Sequence, residues 1–196
     1  LLFSHELLNI PYPSMDDRRP MYIRTPEFKT LNIEQSSPFP GDQNVIQIGW
    51  ITNVPLYSLC NATISAKGLV GSTSASAKDF PLDPLSNATF GKTANWNVDG
   101  SLVIKVLNDT EAGVLYKAAV VLTNQNSQQG AQIVSVRADI ASPDFTGVSI
   151  DWKTAEPDLQ KVPDKVLENL CPWRTPESRM DCGKGDAAPL KIYKPE

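Results

Sequence analysis

The sequence predicts an all-β protein, one antiparallel β-sandwich followed by a long, mostly irregular C-terminal arm. Three observations carry that prediction. Between residues 44 and 140, successive segments place apolar residues at every second position. Leu102, Ile104 and Val106 do so in one run, Val114, Tyr116, Ala118, Val120 and Leu122 in another, and Val134, Val136, Ala138 and Ile140 in a third. A period of two is the signature of strands buried on one face. Turn-forming dipeptides separate the runs, Asp99-Gly100 being the clearest hairpin signal. After Ala141 the alternation fades and polar, Pro-rich sequence follows.

Taken in order, residues 1–19 are rich in turn formers, with Pro11, Pro13 and the cluster Asp16-Asp17-Arg18-Arg19. Residues 20–26 read as an extended edge segment, because the proline at each end cannot donate to a ladder. A strand is expected over 28–35 on Leu31 and Ile33, then a turn over Ser36-Ser37-Pro38-Phe39-Pro40-Gly41. The next strand, 45–52, keeps Ile46, Ile48 and Trp50 in one parity, and 60–66 follows with Ala62, Ile64 and Ala66 inward. Residues 68–77 are small and polar, a flexible connection, and 80–89 is broken by proline. Trp96 stands just before the hairpin into 101–107, and strands 114–123 and 132–140 complete the sandwich. Beyond it, 147–154 gives one more strand with Val148, Ile150 and Trp152 in parity. Residues 155–188 are mostly loop, with a short helical candidate at 163–170. A long irregular stretch of that kind reads as a linker or interface arm.

Composition narrows the function classes. The 196 residues carry a formal charge of −4 with Lys and Arg scattered, unlike the basic stripe of a nucleic-acid surface. No apolar run approaches the ~18–20 residues that span a bilayer. The chain opens on Leu1 without a basic region or a cleavage site, so a removed leader or an excerpt of a longer chain is expected. His5 is the single histidine, which removes most general-base and metal-site options. No enzyme activity is expected, since a hydrolase would need a base the chain barely has. Three sequons, at Asn61, Asn87 and Asn108, fall at outward or turn-like positions and point to N-glycosylation and a secreted or surface protein.

The end of the chain matches its beginning. Pro20-Met21-Tyr22-Ile23-Arg24-Thr25-Pro26-Glu27 aligns with Pro189-Leu190-Lys191-Ile192-Tyr193-Lys194-Pro195-Glu196, 169 residues further on. Pro, Ile, Pro and Glu are identical. Met15-Asp16 and Met180-Asp181 lie upstream in the same order, as do Pro11-Tyr12 and Pro172-Trp173. The expected organisation is the end of a preceding arm (1–19), a sandwich (20–142), a linker or arm (143–188) and the first strand of a next repeat (189–196). That last strand would have no sandwich of its own to join. A module that repeats in tandem builds length.

The same alignment sets Cys171 opposite Ile10 and Cys182 in the stretch opposite Asp17, so the earlier copy lacks both together. Joint absence is what a bonded pair would show, and Cys171–Cys182 is the expected disulfide. Cys60 is left over, as a buried small residue or an intermolecular thiol. Trp50 and Trp96 read as core more readily than as a sugar platform. Trp152 and Trp173 are interface candidates, together with Pro189, Ile192 and Tyr193. Asp16, Asp17 and Asp181 offer carboxylates to calcium, although Arg18 and Arg19 beside them favour plain solvated charge. No other cofactor is expected beyond N-linked glycans.

An ordered set of motifs carries a resemblance. Asn44-Val45-Ile46-Gln47-Ile48 and Thr52-Asn53-Val54-Pro55-Leu56 open it, followed by Ala62-Thr63-Ile64-Ser65 and Gly68-Leu69-Val70-Gly71-Ser72. Phe90-Gly91, Trp96, Gly100-Ser101-Leu102, Ala112-Gly113, Tyr116, Leu122-Thr123-Asn124 and Gln128-Gln129 continue it. The set resembles the Ig-like repeat of large algal and protist surface proteins, including mastigoneme-type proteins of flagellar hairs. It covers roughly residues 20–140 and departs at Cys60 and at Ser65-Ala66-Lys67-Gly68. The resemblance implies an Ig-like sandwich in an extracellular structural glycoprotein at a cell or flagellar surface, with no catalytic residues. The expected function is a repeat module of a filament or surface hair. Its partners would be other copies of the same repeat or other extracellular filament proteins, not nucleic acid, with no membrane span in this segment. The alternative is a cell-surface adhesion or carbohydrate-binding module, which would show an exposed aromatic platform or a carboxylate cluster.

Overall fold

The structure, a computed structural model, describes residues 25–83, 88–142, 145–155, 157 and 187–194. The expected all-β sandwich is what forms. Strands β1 (Phe28–Gln35), β2 (Gln43–Thr52) and β7 (Leu115–Thr123) make one antiparallel sheet in the order β1-β2-β7. Strands β3 (Thr63–Lys67), β4 (Ala77–Pro81), β5 (Thr93–Asn97), β6 (Ser101–Lys105), β8 (Val134–Ser142) and β9 (Phe145–Ala155) make the other, in the order β4-β5-β6-β3-β8-β9.

The alternating residues build the core between the sheets. Ile46, Ile48 and Trp50 from β2 and Tyr116, Ala118, Val120 and Leu122 from β7 meet Ile64, Leu102, Ile104, Val134, Val136 and Ala138 from the larger sheet. Trp50 lies 5.0 Å from Phe90, centroid to centroid, and Phe90 packs edge-on against Tyr116 at 5.8 Å. Both Trp50 and Trp96 are fully buried, as expected of core residues. The free edge of β7 is covered where Ser72 bridges Asn124 and Leu82 bridges Val120, which blunts edge-to-edge pairing there.

Several elements differ from the sequence reading, each for a local reason. Residues 58–60 form a 3-10 turn closed by Asn61 in the left-handed region, so β3 begins at Thr63. β5 is a strand that offers only two inward apolar residues, Ala94 and Trp96, too short a run to show a period. β4 straddles the segments read as a flexible connection and a Pro-broken stretch. The hairpin at Asp99-Gly100 does form, with Gly100 at φ 87 where a Cβ would meet the Leu69 carbonyl carbon at 2.8 Å.

The largest difference concerns β9. The strand placed in the arm pairs with β8 along most of its length and belongs to the sandwich. Its expected parity also breaks. Val136 faces Lys153 while Ala138 faces Ile150, so β9 carries one extra residue between these pairs, a bulge, and a second register shift follows between Ile140 and Ser142. Ile150 and Ala155 are buried and Trp152 is turned outward. The helical candidate at 163–170 and the rest of the arm up to residue 186 lie outside the described residues.

Strand directions define two poles. β1 starts at one pole, beside Thr52 and Asn53, where Asn53 Nδ2 donates to the Thr25 carbonyl and Asn53 Oδ1 accepts from the Glu27 amide. It ends at the other, beside the 36–42 turn and the end of β7. The first is here the entry pole and the second the exit pole.

Candidate functional site

The exit pole is built on buried amides. Asn44, at the start of β2, accepts from the Ser36 and Ser37 amides at 3.0 and 3.1 Å, tightening the β1–β2 turn. Its Nδ2 donates to Gln35 Oε1 and to Asn124 Oδ1, both at 3.0 Å. Asn124, just beyond β7, donates in turn to the Ser37 and Phe39 carbonyls at 2.9 Å. Asn44, Asn124 and Gln35 are fully buried, so each bond replaces one that water would otherwise make.

Against this frame lies the segment 187–194, a strap. Gln129 and Ile192 exchange two backbone hydrogen bonds, 3.0 Å from Gln129 N and 2.9 Å from Ile192 N. Gln132 N donates to the Pro189 carbonyl at 2.9 Å, and Tyr193 N to the Pro38 carbonyl at 2.8 Å. Gln129 Nε2 reaches both the Val70 and the Leu190 carbonyls, and Gln35 Nε2 reaches the Lys191 carbonyl. Ala188, Leu190 and Ile192 are buried, Leu190 within the main core. Leu190 has φ 53, a left-handed conformation that disfavours a residue with a Cβ. That strain costs about 1–2 kcal/mol, and full burial of a leucine side chain, worth about 1.5–3 kcal/mol, offsets it. The Tyr193 ring stands half-exposed, edge-on to Phe39 at 5.6 Å, with Lys191 Nζ 4.9 Å from its centroid.

The segment expected to lack a sandwich therefore docks on this one. It does so through an isolated bridge between Ile192 and Gln129 and not as a named strand. Pro189 and Ile192, expected at an interface, are buried here against residues of the same chain, while Tyr193 stays partly open.

Exposed apolar side chains concentrate at the two poles. Tyr57, Leu59, Leu107, Val114 and Leu115 lie at the entry pole, Leu59 being 91% exposed. Val70, Val98, Ile133 and Tyr193 lie at the exit pole. Trp152 is the other large exposed hydrophobic among the described residues, and Lys67 Nζ sits 4.1 Å over its ring.

Two sequon asparagines lie at the entry pole. Asn61 is exposed at the end of the 3-10 turn, and Asn108 is exposed beyond β6. Within the second sequon, Thr110 is buried and its hydroxyl accepts from the Leu56 amide at 2.8 Å. Asp109 accepts from the Ser58 amide and hydroxyl, both at 2.8 Å. The Ser58 amide bond, with the hydroxyl second, holds the Asp109 carboxyl below its ordinary pKa. Cys60 is a free, half-buried thiol in the same loop. Asn87, Cys171, Cys182, Trp173 and the carboxylates Asp16, Asp17 and Asp181 lie outside the described residues.

A binding platform has less to stand on. A shallow depression of about 300 Å³ is lined by Lys78, Asn95, Asn97 and Ser101. The Trp96 ring beneath it is buried, its indole N–H donating to the Ser74 carbonyl, so no aromatic face is offered for stacking. Among the described residues no three His, Cys, Asp or Glu side chains gather as a metal site. No helix among them is long and apolar enough to cross a membrane. No protein-family model matches the chain, and no curated protein aligns with it.

The sequence did not announce the roles of Asn44, Asn124 and Gln129. The available signal was position for Asn44 and Asn124, polar residues at the ends of strongly apolar strands, while Gln129 lies within the β7–β8 loop and carries no such signal.

Proposed function

We propose that this chain is a structural repeat module, Ig-like in type, of an extracellular glycoprotein that assembles into a filament or surface hair of mastigoneme kind. The observation that carries this reading is the placement of chain passage and apolar surface at opposite poles. The chain enters β1 at one pole and is held by the strap at the other. Large exposed hydrophobics gather at both poles. An end-to-end contact between copies would bury those side chains without covering the polar flanks. The internal sequence match between residues 20–27 and 189–196 supports a tandem arrangement of such modules.

Electron microscopy of the native material tests the reading. Strand β2 has 10 residues, which at ~3.4 Å each sets a pole-to-pole span of about 35 Å, and an axial repeat near that value or a multiple of it is expected. A monodisperse monomer that binds glycans and never forms filaments overturns the proposal and favours an adhesion or carbohydrate-binding module.

A further inference from the structure

The docking pattern of the strap is written twice in the sequence. In the strap, Leu190 and Ile192 point into the sandwich, Pro189 lies buried before them and Lys191 between them is half-buried. Pro20-Met21-Tyr22-Ile23 supplies the same order: proline, an apolar side chain in the Leu190 place, a spacer, and isoleucine in the Ile192 place. Met for Leu is a swap that conserves volume and is tolerated in packed sites. The hydrogen bonds from Gln129, Gln132 and Gln35 to the strap all reach its backbone, so they accept either sequence equally.

Resting on the repeat-module reading, we infer that residues 20–24 are a strap for the corresponding exit-pole groove of a second copy of this sandwich. The spacing to β1 sets the geometry of such a pair. Phe28 begins β1, and Thr25 and Glu27 are already bonded to Asn53 at the entry pole. A neighbour's groove that holds residues 20–24 is separated from this entry pole by residues 25–27 alone. Three extended residues span at most about 10 Å. The exit pole of one copy and the entry pole of the next are then forced together, and the join between modules is a stiff one. Tyr57, Val114 and Leu115 on one side face Val70 and Ile133 on the other.

The groove of this chain is filled by its own residues 187–194, so the test loosens that strap in the full chain. Ile192→Asp places a charge where the strap must bury a side chain and leaves the groove residues unchanged. Leu190→Ala is the milder variant should the first fail to fold, and amide protection in β2 and β7 reports folding in both. Labelled peptides of residues 18–26 and 187–194 are titrated against each variant and the unaltered chain, with fluorescence anisotropy as the readout. Both peptides are expected to bind the loosened chain about ten-fold more tightly than the unaltered one. Carrying Met21→Asp and Ile23→Asp, the 18–26 peptide should lose that binding. If a folded variant takes 187–194 but refuses 18–26, or refuses both, the inference is wrong. Filaments built from a chain whose groove refuses 18–26 overturn this inference and leave the repeat-module reading standing. A protein that takes the peptide yet never polymerises does the reverse.

Discussion

Asn44 donates its side-chain amide to the Asn124 carboxamide oxygen at 3.0 Å, fully buried between the start of β2 and the end of β7. That single bond links two networks. Asn44 fixes the β1–β2 turn through Ser36 and Ser37, and Asn124 fixes the far side of the same turn through the Ser37 and Phe39 carbonyls. The turn in turn presents the Pro38 carbonyl and the Phe39 ring that grip Tyr193.

Replacing Asn44 by alanine takes the side-chain acceptor from the Ser37 amide and one of two acceptors from the Ser36 amide, which keeps the Val45 carbonyl, and removes a partner from Gln35 and Asn124. Buried polar groups left without partners cost about 1–3 kcal/mol each where the structure does not relax. A loss of about 3 kcal/mol in urea unfolding is expected, with the slope unchanged. Asn44→Asp should be as damaging, because it turns the donor toward Asn124 into a buried charge. A loss below ~1 kcal/mol for both would show that water replaces the network.

Gly71 should be needed for the strap. It sits at φ 93, and a Cβ there would lie 2.2 Å from the Gln129 carboxamide. Gly71→Ala therefore strains its own backbone and displaces the side chain that reaches the Leu190 carbonyl. Hydrogen exchange at the Ile192 and Tyr193 amides is expected to accelerate while β2–β7 amides keep their protection. Combining it with Gln129→Ala should cost less than the two changes separately, since they remove the same contact. Strict additivity would argue that Gly71 acts through its backbone alone.

The Asp109 carboxyl titrates below its ordinary value because the Ser58 amide and hydroxyl donate to its charged form. A carboxylate whose folded pKa is depressed adds stability above its unfolded value, and that contribution fades as pH falls through the folded value. Loop 56–60 is thus expected to loosen first on acidification, followed by NMR of the Ser58 amide. Asp109→Ala should abolish that pH-dependent change and leave the sequon Asn108-x-Thr110 intact. An Asp109 carboxyl titrating at the model-compound value of 3.8 would contradict the assignment.

Glycans and an apolar contact compete for the entry pole. Asn61 follows Leu59 in the same loop, and Asn108 follows Leu107. A glycan on either excludes a flat contact across the β3–β6 side of the pole and leaves Val114 and Leu115, before and at the start of β7, for a neighbour. In material that carries glycans at both sites, Leu115→Lys is expected to weaken end-to-end association by about ten-fold or more, and Leu59→Lys to change it little. Sedimentation of glycosylated and glycan-free protein checks both. Equal sensitivity to the two substitutions would place the contact elsewhere.

Much of the fold was legible from local pattern. The strands with three or more alternating apolar residues (β2, β7, β8) supply much of the core, because burial on one face is what a period of two encodes. The short β5 and the bulged β9 were harder. Two inward residues do not establish a period, and one extra residue in β9 reverses the side to which Trp152 points. The exit-pole site was the least legible. Asn44 and Asn124 are 80 positions apart, and no local spacing tells that one amide will satisfy the other.

The sequence by itself determined the class of fold, the burial of Trp50 and Trp96 and the hairpin at Asp99-Gly100, since each depends on neighbours a few positions away. Tertiary structure alone decided where residues 187–194 go. Leu190 and Ile192 find a groove formed by residues far away in the chain, and apolar burial with backbone hydrogen bonds holds them there. Long-range closure of this kind depends on geometry, and geometry is what a one-dimensional pattern leaves open.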